Sequence, residues 1–429
     1  MVIHEAADAV VIGAGVVGLA TALALRSQGR HVVLIDPQPP GSGASYGNAG
    51  TVAPYGCIPV GTPNVLKALP RLLFHRDSPL SMPLSALPGM APWLLRFAHA
   101  SLPAQASAGA SALAGLLSRS LEQWERLWDV SGSGDLVSRA GCLYVYGTPP
   151  DAQAFDMRTR DSLGVRQQFL TAGDVAAMEP ALAPLGRTGL FFPDAAHLSD
   201  PAELMRRLAA AAEAAGVALI AHRVDSLVAH DKHVLLSGPG VQMKASQVVI
   251  AAGAHSRALA AQAGDVLPLD TERGYHLEYA TDTPVFSRPV CPAELGFYMT
   301  PMAGRLRVAG TVEFGGVQRL ANPRRFDYLD RGAHQVLPDL GTPSAQWLGF
   351  RPSMPDSLPV IGRASGCARV LYAFGHGHLG LTLAAVTASL VADLMADRVD
   401  ERLIAPFSPR RFGWRSRRGP PVEPARLRA

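Results

Sequence analysis

The chain carries AVVIGAGVVGLATALAL at residues 9–25 and HVVLID at residues 31–36. The first stretch predicts a buried strand, a glycine turn and a helix, and the second predicts a strand ending in an acid, which together form a β–α–β unit. In such a unit the first glycine makes the tight turn, the second lets a pyrophosphate approach the backbone, and the third lets helix and strand pack closely. The acid, eighteen residues beyond the last glycine, can accept hydrogen bonds from ribose hydroxyls. The sequence therefore predicts a dinucleotide site formed by Gly13, Ala14, Gly15, Val16, Val17, Gly18 and Asp36.

Three further stretches are rich in glycine and small residues: GSGASYGNAG (41–50), VVIAAGA (248–254) and FGHGHLGLT (374–382). Small residues leave room for a ligand against the backbone. A helix is predicted to follow the third stretch, and its N-terminus can stabilise the anion formed when a flavin is reduced. Several glycine-lined approaches in one chain favour a long flavin nucleotide over NAD. The additional predicted cofactor contacts are Ser45, Asn48, Ala49, Gly50, Val224, Ala252, Gly253, Gly377, His378, Gly380 and Thr382.

Composition and charge narrow the class of protein. Hydrophobic residues make up 48% and charged residues 17%, which excludes a disordered chain. The net charge is +4, but residues 401–429 hold eight Arg and two Glu, so this segment carries +6 and the other 400 residues carry −2. A nucleic-acid surface would need a basic face with aromatics along the body, and none is evident, so no nucleic-acid partner is expected.

The cysteines and the apolar stretches favour a soluble cytoplasmic protein. The four cysteines lack metal-ligand spacing and are expected to be reduced thiols, so no metal site is predicted. Residues 9–25 and 370–392 are uncharged, but glycines interrupt both, and the N-terminal stretch lacks the basic start of a signal peptide.

The order of predicted elements indicates a mixed α/β (α+β) protein with two discontinuous domains. A Rossmann-like nucleotide-binding domain is expected from residues 1–80, 197–265 and 345–400. A second domain with an antiparallel sheet, which would hold the substrate, is expected from residues 81–196 and 266–344. Residues 401–429 are expected to form a basic tail, extended or loosely docked.

Together these segments resemble the FAD-dependent D-amino-acid oxidase superfamily, and within it most closely the bacterial D-amino-acid dehydrogenases. The matching pieces extend over nearly the whole chain. They are VVIGAGVVGLATALAL, GASYGNAG with VLKALPRLLFHRDSPL, VVIAAGAHSRAL, GRLRVAGTVEF, RPSMPDSLPVIG and GHGHLGLT. The resemblance implies FAD as cofactor and a large antiparallel sheet over the flavin.

The resemblance also implies the roles of several residues. Arg351, in RPSMPDSLPVIG, matches the arginine that binds the substrate carboxylate, and only Arg offers a planar fork for bidentate binding. Tyr298 matches a substrate-facing tyrosine, and His276 in RGYH could line the pocket or cover the flavin ring. His378 and Leu381 stand where alanine-preferring relatives usually have Thr and Trp. GHGHLGLT and RGYH are similar to relatives that act on D-hydroxyproline, which favours a cyclic secondary amine.

The implied activity is oxidation of a small amino acid, such as a D-amino acid, D-hydroxyproline or D-proline, by hydride transfer to FAD. An enzyme for another small amine, such as glycine or sarcosine, is the first alternative. An NAD-dependent dehydrogenase and a membrane-surface protein that acts through its basic tail are the others. The sequence does not decide the handedness of the substrate or whether the flavin is covalently linked. It does not identify the electron acceptor either, for which a membrane quinone is one candidate. The basic tail favours either a solvated segment without a partner or a peripheral contact with the inner membrane.

Overall fold

The computed structural model describes residues 6–74, 78, 80–83, 86–399, 402 and 404–413. Within these residues the helices are α1 (Val16–Ser27), α2 (Pro63–Phe74), α3 (Leu87–Ala100), α4 (Pro103–Leu117), α5 (Ser120–Ser131), α6 (Phe155–Ser162), α7 (Ala172–Met178), α8 (Pro201–Ala214), α9 (Ser256–Gln262), α10 (Pro323–Val336) and α11 (Gly380–Met395).

The strands are grouped in three sheets. In chain order they are β1 (Ala6–Ile12), β2 (Val32–Ile35), β3 (Thr51–Val52), β4 (Leu80–Ser81), β5 (Val137–Ser138), β6 (Cys142–Tyr146), β7 (Gln168–Leu170), β8 (Thr188–Phe192), β9 (Ala196–Leu198), β10 (Ala218–Ile220), β11 (Ser226–Ala229), β12 (Val234–Gly238), β13 (Val241–Ile250), β14 (Asp270–Ala280), β15 (Val290–Pro292), β16 (Phe297–Met302), β17 (Arg305–Phe314), β18 (Ala345–Ser353), β19 (Val360–Arg363) and β20 (Val370–Phe374).

The first sheet, which we call the parallel sheet, has β10, β2, β1, β13 and β20 side by side and parallel. Strands β19, β12 and β11 extend it in antiparallel fashion. Both faces are covered: Val11 of β1 packs into the cluster with α1 and α11, and Val10 packs into the cluster on the other side. Burial on both faces explains why β1 is a continuous apolar run rather than an alternating one. The predicted β–α–β unit is thus present.

The second sheet, which we call the long sheet, runs in the order β18-β14-β17-β16-β15-β6-β8-β7. Its pairs are antiparallel except for β15 with β6 and the short β4 with β17. Helix α10 packs against β14 and β17 on one face. The mixed α/β architecture with a mainly antiparallel second sheet agrees with the sequence-based expectation. The third sheet is small, with β3, β9 and β5 in that order.

Two segments lie on the opposite side of the predicted domain boundaries. Strand β18 was expected in the nucleotide-binding part, but it pairs with β14 in the long sheet. Helices α4 and α5 were expected in the second domain, but they pack against α11, and the Trp124 indole donates a hydrogen bond to the Leu381 carbonyl (2.9 Å). The apolar faces of these helices complete the core beside α1, which composition alone does not reveal.

One helical stretch in the described part of the chain, Gly377–Met395, is long and apolar enough to cross a membrane by length and composition. It includes α11, which packs between α1 and α5, and 78% of its most apolar window is buried. The fold therefore accounts for its hydrophobicity.

The start of the predicted basic tail is docked on the body. Phe407 is buried in the core beside α11, and Arg411 pairs with Asp356 (2.7 Å) and donates to the Leu358 carbonyl (2.7 Å). Residues 414–429, which hold five of the eight tail arginines, lie outside the described residues.

Candidate active site

The glycine loop before α1 depends on missing side chains. Gly13 has φ +108°, and a Cβ there would lie 2.5 Å from the Ala251 carbonyl oxygen. A Cβ on Gly18 would lie 1.8 Å from the Gly13 carbonyl oxygen, so helix and strand can approach only because residue 18 is glycine. No acidic residue occupies the first turn of α1, so the positive end of the helix is free to attract an anion.

Two side chains brace this loop. The Ser45 hydroxyl accepts a hydrogen bond from the Val16 amide (2.9 Å), and the Asp36 carboxylate accepts one from the Ala14 amide (2.8 Å). A Cβ on Gly15 would meet Ser45 Oγ at 3.2 Å, so this glycine faces the bracing hydroxyl rather than the sheet.

A cavity of about 780 Å³ extends from this loop to the long sheet. Its size is in the range of cofactor and substrate sites. The structure brings most of the predicted site residues to its wall: Gly13, Ala14, Gly15, Val16, Val17, Asp36, Ser45, Asn48, Ala49, Ala252, Gly253, Tyr298, Arg351, Gly377, His378, Gly380 and Thr382. It does not bring Gly18, Gly50, Val224 and His276 there.

Each of those four residues has a packing role that the structure shows, and their predicted contacts with cofactor or substrate stay predictions. Gly18 packs on the glycine loop, as described above. Gly50 has φ +72°, which favours glycine at the end of its loop. Val224 is buried in the core of the parallel sheet. The His276 ring lies behind Trp347, with the ring centroids 5.1 Å apart and nearly parallel.

The loop over residues 46–49 is held by side chains of the long sheet. Arg307 donates to the carbonyls of residues 46 (3.1 Å) and 48 (2.8 Å), and Thr300 donates to that of residue 49 (2.7 Å). The His276 Nδ1 lies 3.2 Å from the carbonyl of residue 47. Arg307 is fully buried and pairs with Glu278 (2.6 Å). Burial lowers the pKa of His276 to about 4, so at neutral pH its ring is neutral and can donate from Nδ1.

Arg351 lies in a place that two backbone features create. A Cβ on Gly274 would lie 2.4 Å from its Cζ, so the guanidinium crosses β14 where a side chain is missing. At the same point β17 bulges: Thr311 and Val312 oppose the single Gly274. Thr311 has φ +60°, a strained conformation for a β-branched residue, and its carbonyl accepts from Arg351 Nη1 (2.8 Å). Burial lowers the pKa of Arg351, but the guanidinium remains charged.

Tyr298 belongs to a hydrogen-bonded group of three phenols, of which Tyr55 is buried and the other two are half-buried. Its hydroxyl lies 2.5 Å from that of Tyr144 and 3.2 Å from that of Tyr55. Of the three, only Tyr298 lines the cavity among the described residues. Burial raises the pKa of all three, so their hydroxyls stay protonated and act as neutral donors and acceptors.

The turn before α11 forms the remaining wall. Gly377 has φ +54°, and the Thr382 hydroxyl accepts a hydrogen bond from the Ala53 amide (3.0 Å). His378 presents its side chain to the cavity, and desolvation together with Arg351 lowers its pKa to about 4. His376 is buried, with Nε2 3.0 Å from the Thr387 hydroxyl.

Sequence reasoning missed several residues of the cavity wall. Glu272 and Trp347 are the most consequential, and the apolar part of the wall adds Met82, Trp93, Phe97 and Phe314. A signal for Trp347 did exist: Cβ atoms on Gly47 and Gly349 would lie 2.1 Å and 1.8 Å from its ring. A glycine inside a strand marks a close approach of this kind.

The donors and spaces fit an extended dinucleotide. The N-terminus of α1 offers amides to a pyrophosphate, Asp36 lies near it on the same wall, and a Cβ on Gly253 would meet nothing within 4 Å. The cavity continues past loop 46–49 to the N-terminus of α11, so a ring system there would lie between the two sheets. The cavity and its donors therefore fit FAD as the resident cofactor.

Comparison with known proteins agrees with this reading. The model of the DAO family, FAD dependent oxidoreductases, matches residues 8–394. A D-amino-acid oxidase of Bradyrhizobium diazoefficiens is 35% identical over 95% of this chain and 99% of its own length. A D-amino acid dehydrogenase 2 of Ralstonia nicotianae is 32% identical over 93% of this chain and 98% of its own length.

Solved structures show the same fold. Glycine oxidase from Geobacillus kaustophilus superposes with a TM-score of 0.72 at 25% identity, covering 94% of this chain and 98% of that one. L-proline dehydrogenase from P. horikoshii superposes with a TM-score of 0.74 at 18% identity, covering 96% and 98%. The glycine loop, the cavity and the family match together show that this chain belongs to the DAO family of FAD-dependent oxidoreductases.

Proposed function

We propose that the protein oxidises a D-amino acid to the imine, which hydrolyses to the 2-oxo acid, with FAD as the immediate oxidant. The observation that carries the proposal is a single cavity with a dinucleotide loop at one end and Arg351 at the other. Among the described residues, no carboxylate forms an ion pair with this guanidinium, and Thr311 occupies one of its donors. A desolvated cation in that state is suited to a substrate carboxylate.

The chain's own residues bind and orient the substrate. Arg351 holds the carboxylate, and Tyr298 and the neutral His378 offer hydrogen bonds near it. The apolar wall excludes water from the reacting carbon, and positioning of this kind supplies much of the rate. FAD, when bound, supplies the two-electron acceptor.

The shape of the cavity supports a substrate with a side chain. An apolar chamber adjoins the Arg351 end, and its wall includes Met82, Trp93, Phe97 and Phe314. Glycine and sarcosine would leave this chamber empty, whereas an apolar side chain would gain about 25 cal/mol per Å² buried in it. The names of the curated relatives, which are D-amino-acid oxidases and dehydrogenases, agree with this choice.

D-hydroxyproline or D-proline is a second candidate substrate. It rests on the resemblance of GHGHLGLT and RGYH and on the position of His378, which faces the cavity and could contact a ring hydroxyl. The histidine of RGYH gives less support, because His276 lies behind Trp347.

A substrate panel tests these proposals. Purified protein with bound FAD is assayed with an artificial dye on D-phenylalanine, D-alanine, D-proline, cis-4-hydroxy-D-proline, glycine and sarcosine, and on the L-enantiomers. We expect the highest kcat/KM with a D-amino acid that has a side chain. Preference for cis-4-hydroxy-D-proline would favour the second candidate, and preference for glycine or for L-substrates would contradict both.

The electron acceptor and the location in the cell are also proposals. We propose a cytoplasmic enzyme that contacts the inner membrane peripherally and reduces a membrane quinone, because residues 401–429 carry a net charge of +6, and basic residues near an anionic leaflet contribute about 1 kcal/mol each. Truncation after Gly413 keeps the docked Phe407 and Arg411. Dye-linked activity should persist, while activity with membranes should fall and become less salt-sensitive. Rapid hydrogen peroxide production by the full chain would instead favour an oxidase.

A further inference from the structure

Two carboxylic acids line the cavity within the described part of the chain. Asp36 lies at the nucleotide end and is engaged by the amides of Ala14 and Gln38. The other is Glu272, on β14 at the substrate end, and only 7% of its surface is exposed. A buried carboxylate is costly unless it meets a charge or donors, so its position next to the substrate calls for a reason.

Glu272 and Arg351 share one face of the long sheet. They are directly paired residues of the antiparallel strands β14 and β18, and side chains at such positions point to the same side. The guanidinium, however, lies over Gly274 and donates to Thr311. Among the described residues it forms no ion pair with Glu272 or any other carboxylate. The cation and the anion therefore stand side by side, and both remain available to the cavity.

A zwitterionic amino acid complements this pair of charges. Its carboxylate matches Arg351, and its ammonium, one carbon away, matches Glu272. We propose that Glu272 binds the substrate ammonium and removes one proton from it before the Cα–H bond breaks. This inference rests on the proposed amino-acid oxidation and assigns the base of that reaction.

The proposed step moves one proton to Glu272 and one electron pair away from the substrate. One N–H bond of the ammonium breaks, and its proton forms an O–H bond on the Glu272 carboxylate, which leaves a neutral amine. The Cα–H hydrogen then leaves with the bonding electron pair, for which FAD, when bound, would be the acceptor, and the nitrogen lone pair forms the C=N bond of an iminium ion. The substrate would thereby lose two electrons and FAD would gain two. Glu272 later releases its proton to solvent.

The surroundings suit a base. Burial raises the pKa of Glu272, and Asp270 acts in the same direction, while the charge of Arg351 opposes them. Desolvation lowers the pKa of His378, from the turn before α11, to about 4, so this ring is neutral at pH 7. The neighbouring Arg273 pairs with Glu313 (3.1 Å). An aliphatic ammonium with a pKa of about 8–10 is mostly protonated at neutral pH. A base beside it would therefore supply the neutral amine that the oxidation requires.

The test compares Glu272→Gln with the wild-type holoenzyme. With the best D-amino acid of the panel, kcat/KM at pH 7 should fall by about 10²–10⁴-fold, the usual contribution of a general base. The variant should recover as the pH rises towards 10, because free amine then forms in solution, whereas the wild type should change little. Glu272→Asp should retain more activity than Glu272→Gln.

Binding of benzoate, followed through the flavin absorbance, separates a base from a structural role. Benzoate has no ammonium, so Glu272→Gln should bind it as tightly as the wild type or more tightly, while Arg351→Ala should lose it. The inference is overturned if Glu272→Gln keeps the wild-type pH profile, or if it loses benzoate as severely as amino acid. If the wild-type enzyme oxidises no amino acid at all, the proposed function fails instead.

Discussion

The two ends of the cavity are built in opposite ways. The nucleotide end depends on atoms that are absent, because Gly13 and Gly18 allow backbone to touch backbone. The substrate end depends on charges that are present, namely the buried Glu272, the buried Arg307–Glu278 pair and the half-buried Arg351. The first end should fail through steric overlap, and the second through uncompensated charge. These modes of failure can be measured separately.

The largest effect is expected at the nucleotide end, from Gly18→Ala. Its Cβ would lie 1.8 Å from the Gly13 carbonyl oxygen, and backbone cannot yield locally to such an overlap. We expect little soluble, folded protein. The control is Gly115→Ala in α4, where a Cβ meets nothing within 4 Å, and alanine should slightly stabilise that helix. A normal melting temperature for Gly18→Ala would contradict the steric account.

Gly15→Val separates folding from cofactor binding at the same end. Its Cβ would contact only Ser45 Oγ, at 3.2 Å, but the side chain would stand where the pyrophosphate approaches. The variant should fold and lose the absorbance of bound flavin near ~450 nm, which belongs to the cofactor. Stoichiometric FAD in the folded variant would show that the phosphate lies elsewhere.

At the substrate end, Arg307→Ala should destabilise the fold most. It leaves Glu278 with Arg305 as its remaining ion-pair partner (3.1 Å) and two loop carbonyls without their donor, and breaking a buried pair costs at most about 3–5 kcal/mol. Thermal unfolding measures the loss. Arg126→Ala, which removes an exposed pair with Glu122, is the matched control and should change little. Equal effects would mean that burial does not distinguish the two pairs.

Arg351→Ala should spare the fold and the flavin spectrum but reduce kcat/KM. Loss of a desolvated charged partner costs about 2–5 kcal/mol, a factor of roughly 30 to several thousand. Arg351→Lys should rescue poorly because an ammonium lacks the fork of a guanidinium. Steady-state kinetics with the best substrate of the panel test this prediction. Unchanged kinetics for Arg351→Ala would show that the substrate carboxylate binds elsewhere.

The smallest effect concerns pH. Burial holds the pKa of His276 at about 4, below the unfolded value of about 6.5, so the unfolded chain binds more protons between these values. The free energy of unfolding therefore keeps its full value above about pH 6.5. It falls by at most about 3 kcal/mol as the pH is lowered towards 4, because the unfolded chain then gains a proton on this histidine. The melting temperature of His276→Gln should therefore decrease less between pH 7 and pH 4.5 than that of the wild type. Equal losses would show that other groups dominate.

The same contrast explains what the sequence could predict. The nucleotide end lies within residues 9–36, where contacts close in sequence explain why each position is glycine. Pattern and spacing are therefore sufficient to predict this end of the cavity. Arg351 and Tyr298 came from resemblance, not from pattern. Glu272 was missed because its strand partners, Arg351 and Phe314, are 79 and 42 residues away in the sequence, and only strand pairing brings them together.

His276 shows a second limit of sequence reasoning. It alternates correctly with Glu272 and Gly274 along β14, so the sequence assigns it to the face that carries the cavity. What covers that face further along the strand is Trp347, from β18, together with the loop at residue 47. Alternation therefore predicts the face of a side chain but not its neighbour from another strand.

The bracing of loop 46–49 by Arg307, Thr300 and His276 has an electrical consequence. In a trans peptide the C=O and N–H bonds point in opposite directions. Holding four consecutive carbonyls towards the long sheet turns the amides of residues 47–49 the other way, towards the cavity that these residues line. The loop thus presents a row of aligned dipoles with their positive ends inward. We expect the midpoint potential of the bound flavin to depend on this polarity. It should therefore also depend on the Arg307–Glu278 ion pair, although neither residue lines the cavity.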